Sequence, residues 1–193
     1  MSKEFNDDEM AFAEETSDIL DTTDTPWKII IVDDEASIHD VTKLALKGFR
    51  FSGRRLEFIS AFSGKEAKSI ILDHPDAALM LLDVVMETDH AGLDVARYVR
   101  NDANNQTTRI ILRTGQPGQA PEREVITEYD INDYKEKTEL TVQKLFTLMY
   151  SSLRAYRDII ALENNKRGLE NVIAASKNLF EMEAMPDFAS GIL

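Results

Sequence analysis

The chain has 193 residues, 43% of them hydrophobic and none of them cysteine, which suits one packed domain with a smaller appendage and excludes disulfides and thiolate metal sites. Its formal net charge of −13 disfavours direct binding of nucleic acid, because an acidic surface repels phosphate backbones. No apolar run approaches the ~18 residues that cross a bilayer, and the acidic N-terminus lacks the pattern of a signal peptide, so we expect a cytoplasmic protein without membrane contact.

Strands alternate with helices along most of the chain. Residues 1–26 carry nine Asp or Glu and one Lys and are expected to form a disordered tail. In chain order the pattern then predicts a strand over 28–33, a helix over 37–48, a strand over 56–61, a helix over 64–73 and a strand over 78–83. It continues with a helix over 92–102, a strand over 109–114, a helix over 121–129 and a strand over 132–136. This alternation predicts an α/β fold, a doubly wound sandwich on a five-stranded parallel sheet.

The C-terminal part reads as one long helical extension over residues 140–183, with apolar residues along one side. A helix of that length would measure about 65 Å at 1.5 Å per residue. It would protrude from the domain and need a partner for its apolar stripe, so we expect a homodimer through this helix. Residues 164–168 end in Gly168, and we expect a break there because glycine weakens a helix interior.

Reactive side chains follow four of the predicted strands. Asp33 and Asp34 end the first strand, Asp83 ends the third, Thr114 ends the fourth and Lys137 follows the fifth. In parallel sheets, ligands bind beyond the carboxyl ends of the strands. Three carboxylates, a hydroxyl and an ammonium group at one edge predict a site for a divalent metal and a phosphoryl group.

In order and spacing, these motifs over residues 27–157 resemble the receiver domain of two-component response regulators. The resemblance implies a flavodoxin-like sheet with strand order 2-1-3-4-5 and the acidic residues at its topological switch point. It also implies a signalling domain that is not itself an enzyme and that takes a phosphoryl group from a histidine kinase or a phosphotransfer protein.

The resemblance assigns a role to each acidic residue. Asp83 would be the phosphoacceptor, forming an acyl phosphate. Asp34 and Asp83 would bind Mg²⁺ directly, the backbone carbonyl of Val85 would supply a third ligand, and Asp33 would act through water, in keeping with the oxygen ligands that Mg²⁺ prefers.

The same resemblance implies a set of phosphoryl-binding and switch residues, namely Thr114, Gly115, Tyr134 and Lys137. Lys135 competes with Lys137, which is preferred because receivers place this lysine three residues after the switch aromatic. Receivers usually have a proline after the lysine, in a cis peptide bond, but here Thr138 follows. A cis bond before a residue other than proline costs ~2.5–4 kcal/mol, which leaves open whether this bond is cis or is trans with a differently shaped loop.

Two further positions flank the water that hydrolyses the acyl phosphate in receivers, and here they are Val85 and Gln116. Apolar Val85 cannot orient that water whereas Gln116 can, so we expect a phosphoryl group of intermediate lifetime. Residues 87–91 make a longer loop than receivers usually have, and we expect His90 within it to be solvated. His39 and His74 are assigned no role.

Residues 158–185 resemble the helical connector that links receivers to a GAF-like domain in bacterial regulators. Such regulators often end in a cyclic-di-GMP phosphodiesterase (HD-GYP) or a diguanylate cyclase domain. This resemblance implies that residues 186–193 begin a following domain and that an output domain is missing from the chain.

Other phosphoryl-handling proteins fit the sequence less well. A haloacid-dehalogenase-type phosphatase needs an acidic residue two positions after its nucleophile, where Val85 stands. A nucleotide-binding loop needs an upstream glycine and a Ser or Thr after its lysine, and residues 62–66 lack both. The alternative that stays open is a degenerate receiver that acts as a dimerisation scaffold without being phosphorylated.

Overall fold

The computed structural model describes residues 25–115, 131–137 and 141–189, with only the backbone for Glu136 and residues 177–189. The elements in chain order are β1 (Trp27–Val32), α1 (Ala36–Ala45), β2 (Arg50–Phe51), β3 (Arg54–Ala61), α2 (Gly64–Asp73), β4 (Leu79–Asp83), α3 (Ala91–Asn101), β5 (Arg109–Thr114), β6 (Asp133–Glu136) and α4 (Val142–Ala189). The acidic tail up to residue 24, the helix predicted over 121–129, and Gln116 and Thr138 lie outside the described residues.

The sheet has the order β2-β3-β1-β4-β5-β6. Its five long strands are all parallel, which confirms the predicted order 2-1-3-4-5. The prediction missed β2, a two-residue strand that pairs antiparallel with the start of β3. Ser52 and Gly53 connect the two strands with φ of 49° and 77°, as the left-handed backbone of a tight two-residue hairpin requires.

The three central parallel strands, β1, β4 and β5, are buried on both faces, which explains their nearly continuous apolar sequences. Alternate residues of each strand point to opposite sides. One set packs with α2 and α3 and comprises Ile30, Val32, Met80, Leu82, Ile110 and Leu112. The other packs with α1 and the start of α4 and comprises Ile29, Leu79, Leu81 and Ile111. Each fully buried Ile or Leu of this kind stabilises the fold by roughly 1.5–3 kcal/mol.

Helix α4 is unbroken over 48 residues, about 72 Å at 1.5 Å per residue. The break expected at residues 164–168 is therefore wrong. A glycine costs a helix only ~1 kcal/mol relative to alanine, whereas restarting a helix after a break requires a new and unfavourable nucleus. The described residues around Gly168 are exposed, so no tertiary contact among the described residues competes with the helical path.

The first five turns of α4 are anchored on the sheet and the rest extends away from it. Leu145, Met149 and Leu153 are buried against the sheet, and the hydroxyl of Tyr156 donates to the carbonyl of Asp76 (3.0 Å). From residue 161 onward every described side chain is exposed. Long as it is, α4 is not apolar enough to cross a membrane, and neither is any other helix in the described ranges.

Candidate phosphoryl and metal site

Three carboxylates meet at the carboxyl edge of the sheet. Val32 pairs with Leu82 in the β1–β4 register, so the residues that follow, Asp33 and Asp83, lie side by side. Together with Asp34 they each bring a carboxylate oxygen within 4.8 Å of the others. Asp33 and Asp83 are buried and Asp34 is exposed. The predicted convergence of the three acidic residues is thus confirmed.

Protein donors occupy both carboxylate oxygens of Asp33. Its Oδ1 accepts a hydrogen bond from the backbone N–H of Glu35 (3.1 Å). Its Oδ2 lies 3.1 Å from Nζ of Lys137 and 3.4 Å from Nη2 of Arg113. His39, to which the sequence analysis assigned no role, is buried and donates from Nε2 to the backbone carbonyl of Asp33 (2.7 Å). Asp33 is consequently held in one orientation.

Asp83 has one oxygen bonded and the other bare. Oδ2 accepts a hydrogen bond from Nζ of Lys137 at 2.8 Å, while Oδ1 is buried and has no hydrogen-bond partner among the described residues. Burial raises the pKa of Asp83 and the charge of Asp33 adds to that shift, whereas Lys137 and a backbone interaction with Val85 oppose it. A buried carboxylate oxygen without a donor is costly, and hard cations such as Mg²⁺ take carboxylate ligands. The bare Oδ1 beside Asp34 therefore fits a divalent metal ion.

The two competing lysines have different partners. Lys137 reaches both Asp33 and Asp83, and its Nζ is also 3.8 Å from Oε1 of Glu35. Lys135 instead pairs with Asp133 (3.0 Å). Burial lowers the pKa of Lys137, but the hydrogen bonds and charges of its two carboxylate partners outweigh burial and leave that pKa raised. The ammonium group at the acidic cluster is thus that of Lys137.

The other predicted site residues lie on or shortly after β4, β5 and β6. Thr114 is buried, and Val85 and Tyr134 are half-buried against the core cluster under α2 and α3. Gly115 is exposed, and a Cβ built on it would meet no described atom within 4 Å.

The loop between β4 and α3 is fixed at both ends. The carboxylate of Glu87 accepts from the backbone N–H of Gly64 at the start of α2 (2.9 and 3.2 Å). A Cβ on Gly92 would lie 2.0 Å from the backbone oxygen of Asp83, so only glycine allows α3 to begin this close to the phosphoacceptor candidate. His90 is exposed, as predicted.

Arg113 is a residue at this site that the sequence analysis missed. It lies in β5 one position before Thr114, is 3% exposed and contacts Asp33. Burial lowers the pKa of Arg113, whereas the charges of Asp33 and Asp83 raise it. The available signal was an arginine directly after the apolar run of residues 110–112, within the predicted strand, because a buried cation there needs an anion nearby.

Comparisons with known proteins cover both parts of the chain. Residues 149–193 match a family described as a domain of unknown function (DUF3369). Over 168 residues, or 87% of its length, the chain is 54% identical to the 3′3′-cGAMP-specific phosphodiesterase 2 of Vibrio cholerae. The chain spans 32% of the length of that relative.

Solved structures match the part that contains the sheet. A structure described as adenylate cyclase from Rhodopirellula baltica covers 74% of the chain with a TM-score of 0.63 at 18% identity, and 98% of that chain is covered. The signal receiver domain of a putative Luxo repressor protein from Vibrio parahaemolyticus covers 72% with a TM-score of 0.60 at 20% identity, again with 98% of that chain covered. Likeness at this level of identity shows the fold: the chain is a receiver-fold domain extended by a long C-terminal helix.

Proposed function

We propose that the chain is a phosphoacceptor receiver, in which Asp83 takes a phosphoryl group from a histidine kinase or a phosphotransfer protein. One observation carries the proposal: Asp83 is buried at the switch point of a receiver fold with Lys137 on Oδ2 and a bare Oδ1. Oδ1 lacks the partner that a purely structural aspartate would be expected to have, since buried polar side-chain atoms are as a rule hydrogen-bonded.

The chemistry is the transfer of a phosphoryl group between two nucleophiles. A carboxylate oxygen of Asp83 forms a new bond to phosphorus while the bond from phosphorus to the donor's imidazole nitrogen breaks, leaving an acyl phosphate and a neutral imidazole once a proton is taken up. Positive charge at the equatorial oxygens lowers the barrier of such transfers. Lys137, already at the site, supplies one such charge.

Bound Mg²⁺ would supply the remaining positive charge. Asp34 and Asp83 are suited to bind it directly, because Asp34 is exposed and Asp83 has a bare oxygen. Val85 would contribute its backbone carbonyl. Asp33 is suited to act through water only, because Glu35, Lys137 and Arg113 already occupy its two oxygens.

We propose that three residues, Lys137, Thr114 and Tyr134, respond to the phosphoryl group. Lys137 moves its hydrogen bond from Asp83 to a phosphoryl oxygen, and Thr114 turns its hydroxyl towards the same group past Gly115. Tyr134 then turns inward into the space that Thr114 leaves. Val85 tunes the rate at which the acyl phosphate is hydrolysed. Gln116, which lies outside the described residues, is the second position that tunes this rate. A Val85→Asn variant that dephosphorylates at the wild-type rate would contradict the role of Val85.

We propose that α4 transmits the signal from the receiver to the output domain. Its exposed part carries Leu162, Leu169, Val172 and Ile173, each at least 60% exposed and spaced by three, four and seven residues. This is the spacing with which two helices bury a common stripe. We propose that residues 27–157 form the receiver and 158–185 a connector that pairs with a second copy. Phosphorylation then changes the partner preference of the face formed by β6 and the start of α4.

In the full-length protein, residues 186–193 would lead through a GAF-like domain into an output domain. The 54% identity to the Vibrio cholerae phosphodiesterase supports a cyclic-dinucleotide phosphodiesterase as that output. The receiver itself would catalyse no reaction on the nucleotide. A regulated hydrolase activity of the full-length protein that follows the phosphorylation state of Asp83 is the expected result, and activity independent of that state would contradict it.

Titration with Mg²⁺ tests the proposed site against the scaffold alternative. We expect the wild type to bind one Mg²⁺ and Asp34→Asn to bind it at least about tenfold more weakly, because a direct carboxylate ligand is lost. Asp40→Asn is the matched control, since Asp40 is an exposed aspartate on α1 outside the acidic cluster. Equal binding by all three proteins, or no binding by any, would favour a degenerate receiver.

A further inference from the structure

Arg113 is a buried cation whose position the proposed chemistry does not explain. Its side chain is 4% exposed. Nη2 lies 3.4 Å from Oδ2 of Asp33, and Nη1 donates to Oγ1 of Thr42 on α1 (3.2 Å). Nε is buried and has no hydrogen-bond partner among the described residues. A guanidinium group buried at this cost is retained only where it compensates a buried anion, and Asp33 is the carboxylate within reach.

Asp33 is shared by two cations. The same oxygen, Oδ2, contacts Lys137 at 3.1 Å and Arg113 at 3.4 Å, and Oδ1 is bonded to the backbone of Glu35. Asp83 differs, because its Oδ1 is bare, and Asp34 differs because it is exposed. Of the three carboxylates, Asp33 is therefore the one whose two oxygens are both occupied by protein donors and so are not available as direct metal ligands.

The two cations are not equivalent. Lys137 bonds Asp83 as well as Asp33, is 19% exposed at its side chain and has a flexible stem with which to follow a phosphoryl group. Arg113 is fixed by Thr42 on one side and Asp33 on the other. Its charge is therefore held beside the acidic cluster by a partner on each side.

We infer that Arg113 is a built-in counter-cation of the phosphoryl site, which holds Asp33 in place in the metal-free protein and keeps the affinity for Mg²⁺ low. This inference rests on the proposed function, since it concerns the same metal site. The reason is electrostatic: a fixed positive charge next to the ligand cluster repels a divalent cation, and the repulsion is stronger in a buried setting than in water. Arg113 also keeps Asp33 from turning Oδ2 towards the metal.

Arg113→Gln tests the inference, because glutamine removes the charge and keeps a polar side chain. By isothermal titration calorimetry we expect Arg113→Gln to bind Mg²⁺ about tenfold more tightly than the wild type. We also expect a lower melting temperature in EDTA, where Asp33 has lost a partner, and a larger rise of that temperature on adding Mg²⁺. A purely structural role for Arg113 would lower the melting temperature equally with and without Mg²⁺.

Two control variants separate charge from packing. Arg113→Lys keeps the charge beside Asp33 and is expected to bind Mg²⁺ close to the wild-type affinity. Arg50→Gln makes the same change of charge at an exposed residue of β2, where Arg50 donates to the nearby carbonyl of Gly53. It is expected to leave Mg²⁺ affinity unchanged, because exposed charges are screened by solvent.

The outcomes distinguish this inference from the function on which it rests. Tighter binding by Arg113→Gln alone supports the inference. Wild-type binding of Mg²⁺ with equal or weaker binding by Arg113→Gln overturns it and leaves the proposed function standing. A wild type that binds no Mg²⁺ overturns both. If Arg113→Gln is as unstable in saturating Mg²⁺ as in EDTA, the inference is also overturned, because the metal fails to replace the lost cation.

Discussion

Asp83 and Lys137 are joined by a hydrogen-bonded ion pair, Nζ to Oδ2 at 2.8 Å, although 54 residues separate them in the chain. The pair links the end of β4 to the residue that follows β6. Lys137 has a second carboxylate partner in Asp33, whereas Asp83 has one hydrogen-bonded cation and a repelling neighbour in Asp33. This asymmetry explains why burial sets the direction of the pKa shift of Asp83, whereas the two carboxylate partners set that of Lys137.

Removing the ammonium group should slow phosphorylation. We expect Lys137→Met to take up a phosphoryl group from acetyl phosphate about 100-fold more slowly, because one positioned charge on the transferring group is lost. The rate is measured by intact mass over time. Lys135→Met is the matched control, since Lys135 pairs with Asp133. A comparable loss of rate in both variants would contradict the assignment of Lys137.

The raised pKa of Asp83 predicts that the difference in stability between the wild type and Asp83→Asn depends on pH. Burial raises this pKa, so the folded chain binds the proton more tightly than the unfolded chain. The resulting penalty on folding is complete above the raised pKa, decreases as pH falls through it, and disappears below the ordinary value of 3.8. Asp83→Asn has no such penalty.

In metal-free buffer at neutral pH, we therefore expect Asp83→Asn to unfold at higher urea concentration than the wild type. The difference should shrink as the pH is lowered towards 3.8. Asp40→Asn reports the effect of the same substitution at an exposed position. A difference that is absent at neutral pH, or that grows on acidification, would show that ionised Asp83 is not destabilising.

Replacing glycine by alanine should have opposite effects on stability at two positions within helices. A methyl group on Gly92 would collide with the backbone oxygen of Asp83, whereas one on Gly168 would meet no described atom within 4 Å. We expect Gly92→Ala to lower the free energy of unfolding by about 3 kcal/mol, because the start of α3 must move away from β4. Gly168→Ala should be neutral or stabilise α4 by up to about 1 kcal/mol.

Urea unfolding followed by circular dichroism measures both effects. Similar stability of Gly92→Ala and the wild type would show that α3 shifts without cost, and the close approach would then have no structural importance.

The exposed stripe of α4 should carry the dimer. We expect the double substitution Leu169→Gln and Ile173→Gln to weaken self-association at least about tenfold, because two apolar side chains at helical spacing lose their burial. Glu163→Gln with Glu170→Gln changes a neighbouring exposed strip of the same helix and should leave a dimer. Sedimentation velocity measures the association. A chain ending after Arg157 should be monomeric and still accept a phosphoryl group; an unchanged dimer there would exclude the exposed part of α4 as the interface.

The sequence was sufficient to predict an element where a buried apolar run is bounded by polar residues. Strand β5 was predicted over the residues that form it, because its apolar run begins after polar residues and ends at Thr114. The cluster of Asp33, Asp34 and Asp83 followed from strand ends that share one edge of a parallel sheet. These inferences need only local pattern and topology.

The sequence was insufficient where contacts over long range decide the outcome. In the sequence, Arg113 is a charged residue in a buried strand without an evident partner. The structure shows that Asp33, 80 residues earlier, lies beside it. The need for glycine at position 92 arises from the carbonyl of Asp83. At Gly168 a local helix-weakening signal was overruled, because the cost of one glycine is smaller than the cost of interrupting a long helix.

The most direct test of the proposed function is the intact mass of the chain after incubation with acetyl phosphate and Mg²⁺, compared with Asp83→Asn. We predict one added phosphoryl group on the wild type and on Asp40→Asn, and none on Asp83→Asn. A folded wild type that gains no phosphoryl group, or an Asp83→Asn variant that gains one, would contradict the assignment of Asp83 as the phosphoacceptor.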